Sequence, residues 1–374
     1  VMGLDPVEMT QEFVDVKSVS RGSNVEISDL VELRMKECGL EVERLTYLDE
    51  NDELKVSLVG VKGESKGEDG IAFLSHTDTV PGQEQDWDAF HGVVEGERLF
   101  GRGSCDMKGP LACTMIAAAH VDASILKKPL VIVATADEEV GGGGAHQVAE
   151  ESRIINKICP KYGVIAEPTS LTPVYAHKGA AHVVVTANGR AAHTSTGLGE
   201  SANFKIAPFL AEMAVLAEAI RNDERYMNHE FDPPSNGFNM VITDYETKQN
   251  VSAARSTCHV CFRTMPEDRS DELVDILVSK ARNYGFDVTT SISRPFYSDP
   301  SSPIVQLASE VTGGKTPQTV PYGTDAPHFR EKLEMVVLGP GSIEQAHTVG
   351  EYVEISQLYE AVDIYSRMIH KICL

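Results

Sequence analysis

One stretch of the sequence decides the fold class, and it is Ile71-Ala72-Phe73-Leu74-Ser75-His76-Thr77-Asp78. A short apolar run typical of a buried strand is followed at once by polar side chains. The same order returns in Val131-Ile132-Val133-Ala134-Thr135-Ala136-Asp137-Glu138-Glu139 and, more weakly, in Gly163-Val164-Ile165-Ala166-Glu167. A small-residue helix is expected between the first two runs, over Leu111 to Ala123. Strands that alternate with helices predict an α/β fold, with a mixed, largely parallel-cored sheet flanked by helices.

A different pattern begins after His177-Lys178-Gly179. Strands are expected over residues 182–187, 238–243, 255–263 and 286–293, and helices over 203–221 and 271–284. This βαββαβ order describes a two-layer α+β domain with a core of its own. The alternation of helix and strand then resumes, with a further buried strand over residues 335–338. The sequence therefore predicts a first domain of residues 1–177 and 296–374, with a second domain of residues 178–295 inserted into it.

Composition narrows the class of partner. The 374 residues carry 33 Lys and Arg against 56 Asp and Glu, a net charge of −23, which disfavours nucleic acids and anionic membranes. No apolar run approaches the ~20 residues of a membrane span. The first five residues show no signal peptide, and seven cysteines are thinly spread, so a cytoplasmic protein with reduced thiols is expected.

Polar side chains follow each expected strand of the first domain. Ligands of α/β proteins bind beyond the carboxyl ends of the strands, so these side chains are expected to converge. Several carboxylates in one crevice repel unless cations hold them, and imidazole with carboxylate oxygen suits zinc or a similar ion. The side chains are His76, Asp78, Asp106, Glu138, Glu139, Glu167 and His347.

Each of these pieces has an ordinary explanation when it is taken alone. An Asp before a helix, such as Asp106, is usually an N-cap. Paired glutamates such as Glu138 and Glu139 usually form a solvated helix start. The four glycines at 141–144 lack the spacing of a phosphate-binding loop and are interpreted as a flexible turn. Cys258 and Cys261 are interpreted as core or strand thiols.

Three motifs together resemble the two-zinc M20 family of metallopeptidases and deacylases. They are His76-Thr77-Asp78-Thr79-Val80-Pro81, Gly101-Arg102-Gly103 with Asp106-Met107-Lys108-Gly109, and Asp137-Glu138-Glu139, and their order and spacing agree over almost the whole chain. Further matches look like the acetylornithine deacetylase branch of that family. They include Glu167-Pro168-Thr169-Ser170-Leu171 and Leu338-Gly339-Pro340-Gly341-Ser342-Ile343 with Gln345-Ala346-His347.

The resemblance implies a di-zinc exopeptidase-like fold and two divalent metal ions, Zn²⁺ above all, with Co²⁺ as an alternative. His76, Asp106 and Glu167 would hold the first ion. Asp106, Glu139 and His347 would hold the second, so that Asp106 bridges the two. Asp78 would accept the other ring N–H of His76, and Glu138 would be the general base.

The resemblance also implies roles for the inserted domain, as a lid and a dimerisation domain of a homodimer. His193, which alone would be a surface histidine, would reach the substrate oxyanion from the partner subunit. Asn250 and Arg263 would grip the substrate carboxylate, and Thr324 would be a further substrate contact. Two departures from the branch, Cys105 and the glycine-free segment 245–249, lie near these positions.

The implied reaction is hydrolysis of an N-acyl-L-amino acid, with N2-acetyl-L-ornithine as the leading substrate, giving L-ornithine and acetate in arginine biosynthesis. Succinyl-diaminopimelate desuccinylase, acetylcitrulline deacetylase and M20 dipeptidase or aminopeptidase activities are the alternatives. A non-catalytic protein that keeps the fold is a further alternative, which the complete set of ligands and Glu138 disfavours.

Overall fold

A computed structural model describes residues 4–63 and 70–374. Residues 1–3, on which the expectation about a signal peptide partly depends, lie outside the described residues. The chain forms two compact units. The first comprises the residues up to Tyr175 with Ser298–Gln318 and Thr324–Leu374, and the second comprises Ala176–Tyr297 with Thr319–Gly323.

The segment 319–323 belongs to the second unit, whereas the sequence predicts residues 296–374 entirely within the first domain. Two hydrogen bonds explain the difference. The main-chain N–H of Lys178 donates to the carbonyl of Val320 over 3.3 Å. The hydroxyl of Thr319 donates to the carbonyl of Glu230 over 2.6 Å. Neither contact is visible in local sequence patterns.

The α-helices and β-strands of the described residues are numbered here in chain order. The helices are α1 (Pro6–Val14), α2 (Val25–Glu37), α3 (Lys108–Ala119), α4 (Gly143–Glu151), α5 (Arg153–Ile158), α6 (Ala202–Ile220), α7 (Ser270–Asn283), α8 (Pro303–Val311), α9 (Ala326–Phe329) and α10 (Ile355–Cys373). The strands are β1 (Glu41–Leu48), β2 (Leu54–Lys62), β3 (Ile71–His76), β4 (Val93–Glu95), β5 (Arg98–Phe100), β6 (Leu130–Thr135), β7 (Tyr162–Ile165), β8 (Val174–His177), β9 (Ala180–Asn188), β10 (Asn239–Thr243), β11 (Arg255–Phe262), β12 (Asp287–Ser293), β13 (Phe296–Tyr297), β14 (Gln318–Val320), β15 (Glu334–Val337) and β16 (Tyr352–Glu354).

The main sheet of the first unit has the order β1-β2-β6-β3-β7-β15-β8. Its centre, β6-β3-β7-β15, is parallel, while β1, β2 and β8 pair antiparallel with their neighbours. Strands β3 and β6 are buried along their whole length, as expected for parallel strands that are covered on both faces. The predicted fold class is confirmed, because the carboxyl ends of four parallel strands share one edge.

Helices α3 and α10 cover the sheet of the first unit. Helix α3 is buried almost throughout because small residues let its neighbours approach closely. At Gly109, for example, a Cβ atom would lie 2.3 Å from the carbonyl oxygen of Ser104. On α10, Tyr365 packs against Phe73 with ring centroids 5.0 Å apart and donates its hydroxyl to the carbonyl of Leu338. The aromatic pair joins α10 to β3, the strand that ends at His76, and α3 packs against the same strand.

The second unit is a two-layer α+β structure. Its sheet has the order β10-β11-β9-β12, with every pair antiparallel. Strand β9 alternates, so that Val183 and Val185 are buried while His182 is exposed. The buried face of this sheet packs against apolar residues of α6 and α7, among them Phe209 and Leu277. The unit therefore has its own core.

Two local expectations differ from the structure. The small-residue helix expected over residues 111–123 is α3, which begins three residues earlier, at Lys108, and ends at Ala119. The four glycines are not simply a flexible turn, because α4 begins at Gly143. A Cβ atom at Gly144 would lie 2.5 Å from main-chain atoms of Ala136, so close packing requires glycine there.

Among the described residues, no helix combines the length and the apolar character that a membrane crossing requires. All seven cysteines are free thiols. Cys258 is buried in β11 and Cys261 is half-buried in the same strand, which agrees with their interpretation as core or strand thiols.

Candidate metal centre

The predicted ligands of the first unit lie beyond the shared edge of the parallel strands. His76 is the last residue of β3, and Glu167 follows β7 by two residues. Glu139 lies in a short 3₁₀ turn, Glu138–Val140, that follows β6. His347 lies in the loop after β15 and has a positive φ of 63°. Strand pairing therefore brings together residues that are far apart in the sequence.

Asp106 lies between the two histidines and presents one oxygen to each. Its Oδ1 is 3.1 Å from Nε2 of His76, and its Oδ2 is 3.3 Å from Nε2 of His347. Glu167 Oε1 lies 3.6 Å from Nε2 of His76. Glu139 Oε1 lies 3.0 Å from Nε2 of His347.

Two sets of candidate ligands thus share Asp106. We call His76 and Glu167 the strand-end half and Glu139 and His347 the loop half. Ligand atoms of His76, Asp106 and Glu139 all lie within 4.8 Å of one another, so the two halves are contiguous. Imidazole nitrogens and carboxylate oxygens in this arrangement fit divalent ions such as zinc, and a carboxylate that faces both ways fits a pair of ions.

Asp78 supports both halves. The sequence predicts that its carboxylate accepts the Nδ1–H of His76, whereas the structure has the main-chain oxygen of Asp78 2.9 Å from Nδ1 and the carboxylate Oδ1 at 3.5 Å. The carboxylate accepts the main-chain N–H groups of Glu138 and Glu139, over 3.1 and 3.3 Å. It also accepts a hydrogen bond from the hydroxyl of Ser20. Asp78 therefore orients His76 by its carbonyl and the glutamate turn by its carboxylate.

The charges of the cluster are unbalanced without cations. Burial and the charge of Asp106 raise the pKa of Glu167 well above its usual range. Burial likewise raises the pKa of Glu139. The hydrogen bonds with Asp106 and Glu139 raise the pKa of His347 to about 10. Burial opposes a charge on His76, but its hydrogen bond with Asp106 and the charge of Glu167 raise its pKa well above the ordinary value. Positive charge is therefore strongly favoured here, as a metal site requires.

The side chain of Glu138 lies within electrostatic reach of His76, Glu139 and Asp106. Among the described residues, no donor hydrogen-bonds to its carboxylate, and burial together with the charges of Asp325 and Glu139 raises its pKa well above the usual range. Asp325 itself is buried, accepts the hydroxyl proton of Thr135 over 2.8 Å, and has its pKa raised by burial to about 7. The adjacent Thr324 is also buried, and its hydroxyl accepts the main-chain N–H of Ala326.

The other predicted substrate residues belong to the second unit. His193 and Asn250 lie on adjacent segments, because the main-chain N–H of Thr194 donates to the carbonyl of Asn250 over 2.9 Å. The main-chain N–H of Ser195 donates to Nδ1 of His193, so the neutral ring carries its proton on Nε2. Arg263 directly follows β11 and is exposed. An Nε2–H donor and an exposed guanidinium are both suited to negatively charged oxygen.

Comparison with known proteins decides the family. The model of peptidase family M20/M25/M40 matches residues 72–371. The chain belongs to this family. An acetylornithine deacetylase of Myxococcus xanthus is 31% identical over 373 residues, which cover 97% of this chain and 96% of that protein. The M20 chain is accordingly a hydrolase that acts on amide bonds.

Solved structures agree with the fold of the M20 hydrolase. An M20 family metallo-carboxypeptidase from Sulfolobus solfataricus has a TM-score of 0.78 at 16% identity, covering 97% of this chain and 98% of that one. A Bacillus subtilis protein described as a dinuclear metal binding peptidase from the M20 family has a TM-score of 0.65 at 17% identity, covering 98% and 97%. At these identities the likeness concerns the fold.

Sequence reasoning missed a buried ion pair in the M20 hydrolase, between Arg102 and Glu351. Nη1 of Arg102 lies 2.6 Å from Oε2 of Glu351, and both side chains are almost wholly buried. The other carboxylate oxygen of Glu351 accepts three main-chain N–H groups, from Gly103, Cys105 and Asp106, each over 3.0 Å. The sequence showed only that an Arg and a Glu lie close to candidate ligands. Local patterns cannot predict a pairing between two positions that are 249 residues apart.

A second missed cluster lies directly before the glutamate turn. Lys55, which is almost fully buried, donates to Asp137 Oδ1 over 2.6 Å and to the carbonyl of Gly22 over 2.8 Å. Tyr47 donates its hydroxyl to the other oxygen of Asp137 over 2.7 Å. Asp137 has a positive φ of 60°, so these contacts hold the chain in the conformation that starts the turn of Glu138 and Glu139.

Proposed function

We propose that this M20 hydrolase removes the acyl group from N-acyl-L-amino acids, with N2-acetyl-L-ornithine as its preferred substrate and L-ornithine and acetate as products. The observation that carries the proposal is Asp106, whose two oxygens face His76 and His347 separately, with Glu167 and Glu139 beside those histidines. The Myxococcus xanthus relative supports the deacetylase branch, because the match spans nearly the full length of both chains.

The donor set supports two divalent ions, Zn²⁺ first and Co²⁺ as a substitute. His76, Asp106 and Glu167 would hold one ion, and Asp106, Glu139 and His347 the other. Bound ions of this kind lower the pKa of water towards ~7 and withdraw charge from the carbonyl oxygen of the amide.

Glu138 is the proposed general base. Its carboxylate lies free of hydrogen-bond donors among the described residues, and the turn that carries it is fixed by Asp78. It takes a proton from the attacking water as the new C–O bond forms at the amide carbon. It returns that proton to the nitrogen as the C–N bond breaks, so that a carboxylic acid and a free amine leave, and the acid passes its proton to the amine.

The second unit contributes the substrate grip in this proposal. Arg263 and Asn250 bind the carboxylate of the amino acid, since a guanidinium suits a planar anion. His193 donates Nε2–H to the developing oxyanion from the partner subunit of a homodimer, and Thr324 is a further contact. We place the reaction in arginine biosynthesis in the cytoplasm.

A substrate panel tests the proposal. The protein is freed of metal and reconstituted with Zn²⁺ or Co²⁺. We then compare kcat/KM for N2-acetyl-L-ornithine, N-acetyl-L-citrulline, N-succinyl-L,L-diaminopimelate and a dipeptide. Acetylornithine is expected to give the highest value. A succinyl or peptide substrate that is turned over tenfold faster contradicts the substrate assignment and leaves the amide hydrolysis intact.

A further inference from the structure

We propose that Glu351 is a positioning residue of the metal centre, which fixes the main chain at Asp106 relative to His347 and thereby maintains the loop half. This inference rests on the proposed function, because it takes Asp106 and His347 to be ligands. Glu351 itself is fully buried, and its carboxylate binds main-chain N–H groups, so it acts on the metal centre through other residues.

The carboxylate of Glu351 holds the segment that ends at Asp106. One oxygen accepts the main-chain N–H groups of Gly103, Cys105 and Asp106, each over 3.0 Å. In addition, the main-chain N–H of Gly101 donates to the carbonyl of Glu351 over 2.9 Å. Because the N–H of Asp106 is one of the bound groups, the position of its Cα is set by Glu351.

The same residue also anchors the chain of His347. Glu351 lies four residues beyond His347 and directly before β16, which pairs with β5 in register from Tyr352 opposite Phe100. His347 has a positive φ, and its side chain is 52% exposed, so little other packing restrains it. Two links therefore join the two loops, one from His347 to Asp106 and one from Glu351 to the segment 103–106.

The strand-end half does not depend on this link. His76 is the last residue of β3 and is 1% exposed, and Glu167 follows β7, so the parallel sheet holds both. Loss of the acceptor at position 351 should consequently weaken the ion of the loop half more than the other ion.

If the buried ion pair only stabilised the fold, its removal would lower the Tm without changing the affinity for either ion. Nε and Nη2 of Arg102 are buried and have no hydrogen-bond partner among the described residues, so removal of Glu351 alone would leave a buried charge uncompensated. The test therefore uses Arg102→Met as a common background. The matched pair is R102M/E351Q, which keeps an acceptor for the three N–H groups, and R102M/E351M, which has a side chain of similar size without one.

The measurements are metal content per chain and stepwise affinity for Zn²⁺ by chelator competition, with far-ultraviolet circular dichroism and the Tm of the metal-free protein as folding readouts. Lys62→Met is the control. Lys62 is a buried lysine that donates to the carbonyls of Ala118 and Val121, and it pairs with Leu130 at the far end of β6 from the site. It should lower the Tm without changing either affinity.

R102M/E351Q is expected to bind two ions, each with an affinity similar to that of the same ion in the wild-type protein. R102M/E351M should bind the weaker ion at least about tenfold less tightly, within the roughly 10–100-fold range found for groups that support metal ligands. Equal affinities in the matched pair would overturn the inference. If wild-type protein binds fewer than two ions, the proposed function fails first.

If R102M/E351M does not fold, Glu351→Asp in the wild-type background takes its place, because the shorter side chain keeps the charge but withdraws from the N–H groups. Wild-type affinity for both ions in that variant would equally overturn the inference.

Discussion

The two halves of the proposed metal centre are built differently. The strand-end half is carried by β3 and β7, and His76 is almost completely buried. The loop half is carried by a 3₁₀ turn and a loop, and the side chain of His347 is 52% exposed. The ends of two parallel strands carry the first half, and the carbonyl of Asp78 orients His76, whereas the second half needs long-range contacts from the carboxylates of Asp78 and Glu351. The first half is therefore held mainly by the strands that carry it, and the second half by contacts with residues distant in the sequence.

Asp106 belongs to both halves, so its change should have the largest effect. Asp106→Asn replaces two anionic oxygens by one neutral oxygen and an amide nitrogen, which cannot serve two ions. We expect loss of both ions and a fall in kcat/KM of at least about a thousandfold, since the ions supply several kcal/mol of transition-state stabilisation. Metal analysis and steady-state kinetics check this. Retention of two ions would refute the bridging role.

Glu138 belongs to neither half, and its change should separate chemistry from metal binding. Glu138→Gln is expected to keep both ions and to reduce kcat by roughly 10²–10⁴-fold, the range for a positioned general base. Glu139→Gln is the control, because the neighbouring residue is a proposed ligand and its variant should bind less metal. Full turnover by Glu138→Gln would remove the residue from the mechanism.

The pKa of His177, a histidine outside the metal cluster, is shifted in the opposite direction from the pKa of the two histidines inside it. His177 is fully buried, and burial lowers its pKa to about 4, whereas carboxylates raise the pKa of His347 to about 10. For His177 the folded pKa lies below the unfolded value of ~6.5, so its contribution to stability is complete above that value and is lost as the pH falls towards 4. At pH 5 the loss is about 2 kcal/mol relative to pH 7.5.

Urea unfolding of the metal-free protein at those two pH values measures this loss. His177→Gln should show a pH-dependent change that is smaller by the same about 2 kcal/mol. An unchanged difference between the two pH values in His177→Gln would assign the pH dependence to other groups.

Metal removal compares the two halves directly. We expect a chelator to remove the ions in two steps, with the loop half losing its ion first because His347 is exposed and held by a loop. A difference of about tenfold in dissociation constant corresponds to only ~1.4 kcal/mol, which is modest for ligands of such unequal burial. Stepwise titration with a spectroscopic Co²⁺ signal resolves the two events, and a single cooperative loss would contradict the division into halves.

The sequence predicted the strand-end half most easily. Each of its ligands follows a short apolar run, and local pattern alone places such residues at the carboxyl edge of a parallel sheet. Glu139 also follows such a run, over residues 131–136, whereas Asp106 and His347 needed the family resemblance, because their loops carry no regular pattern. Glu351, Arg102, Lys55 and Asp137 were missed as supports, since a buried charge pair depends on positions brought together only by the folded chain. The contacts that place the segment 319–323 in the second unit depend on the folded chain in the same way.

The central claim is that Asp106 bridges two divalent ions, and anomalous diffraction at the zinc edge from crystals of the reconstituted protein tests it most directly. We predict two peaks about 3.5–4 Å apart, one beside His76 and Glu167 and the other beside Glu139 and His347, with one oxygen of Asp106 on each. A single peak, or a second peak away from His347, would contradict the account.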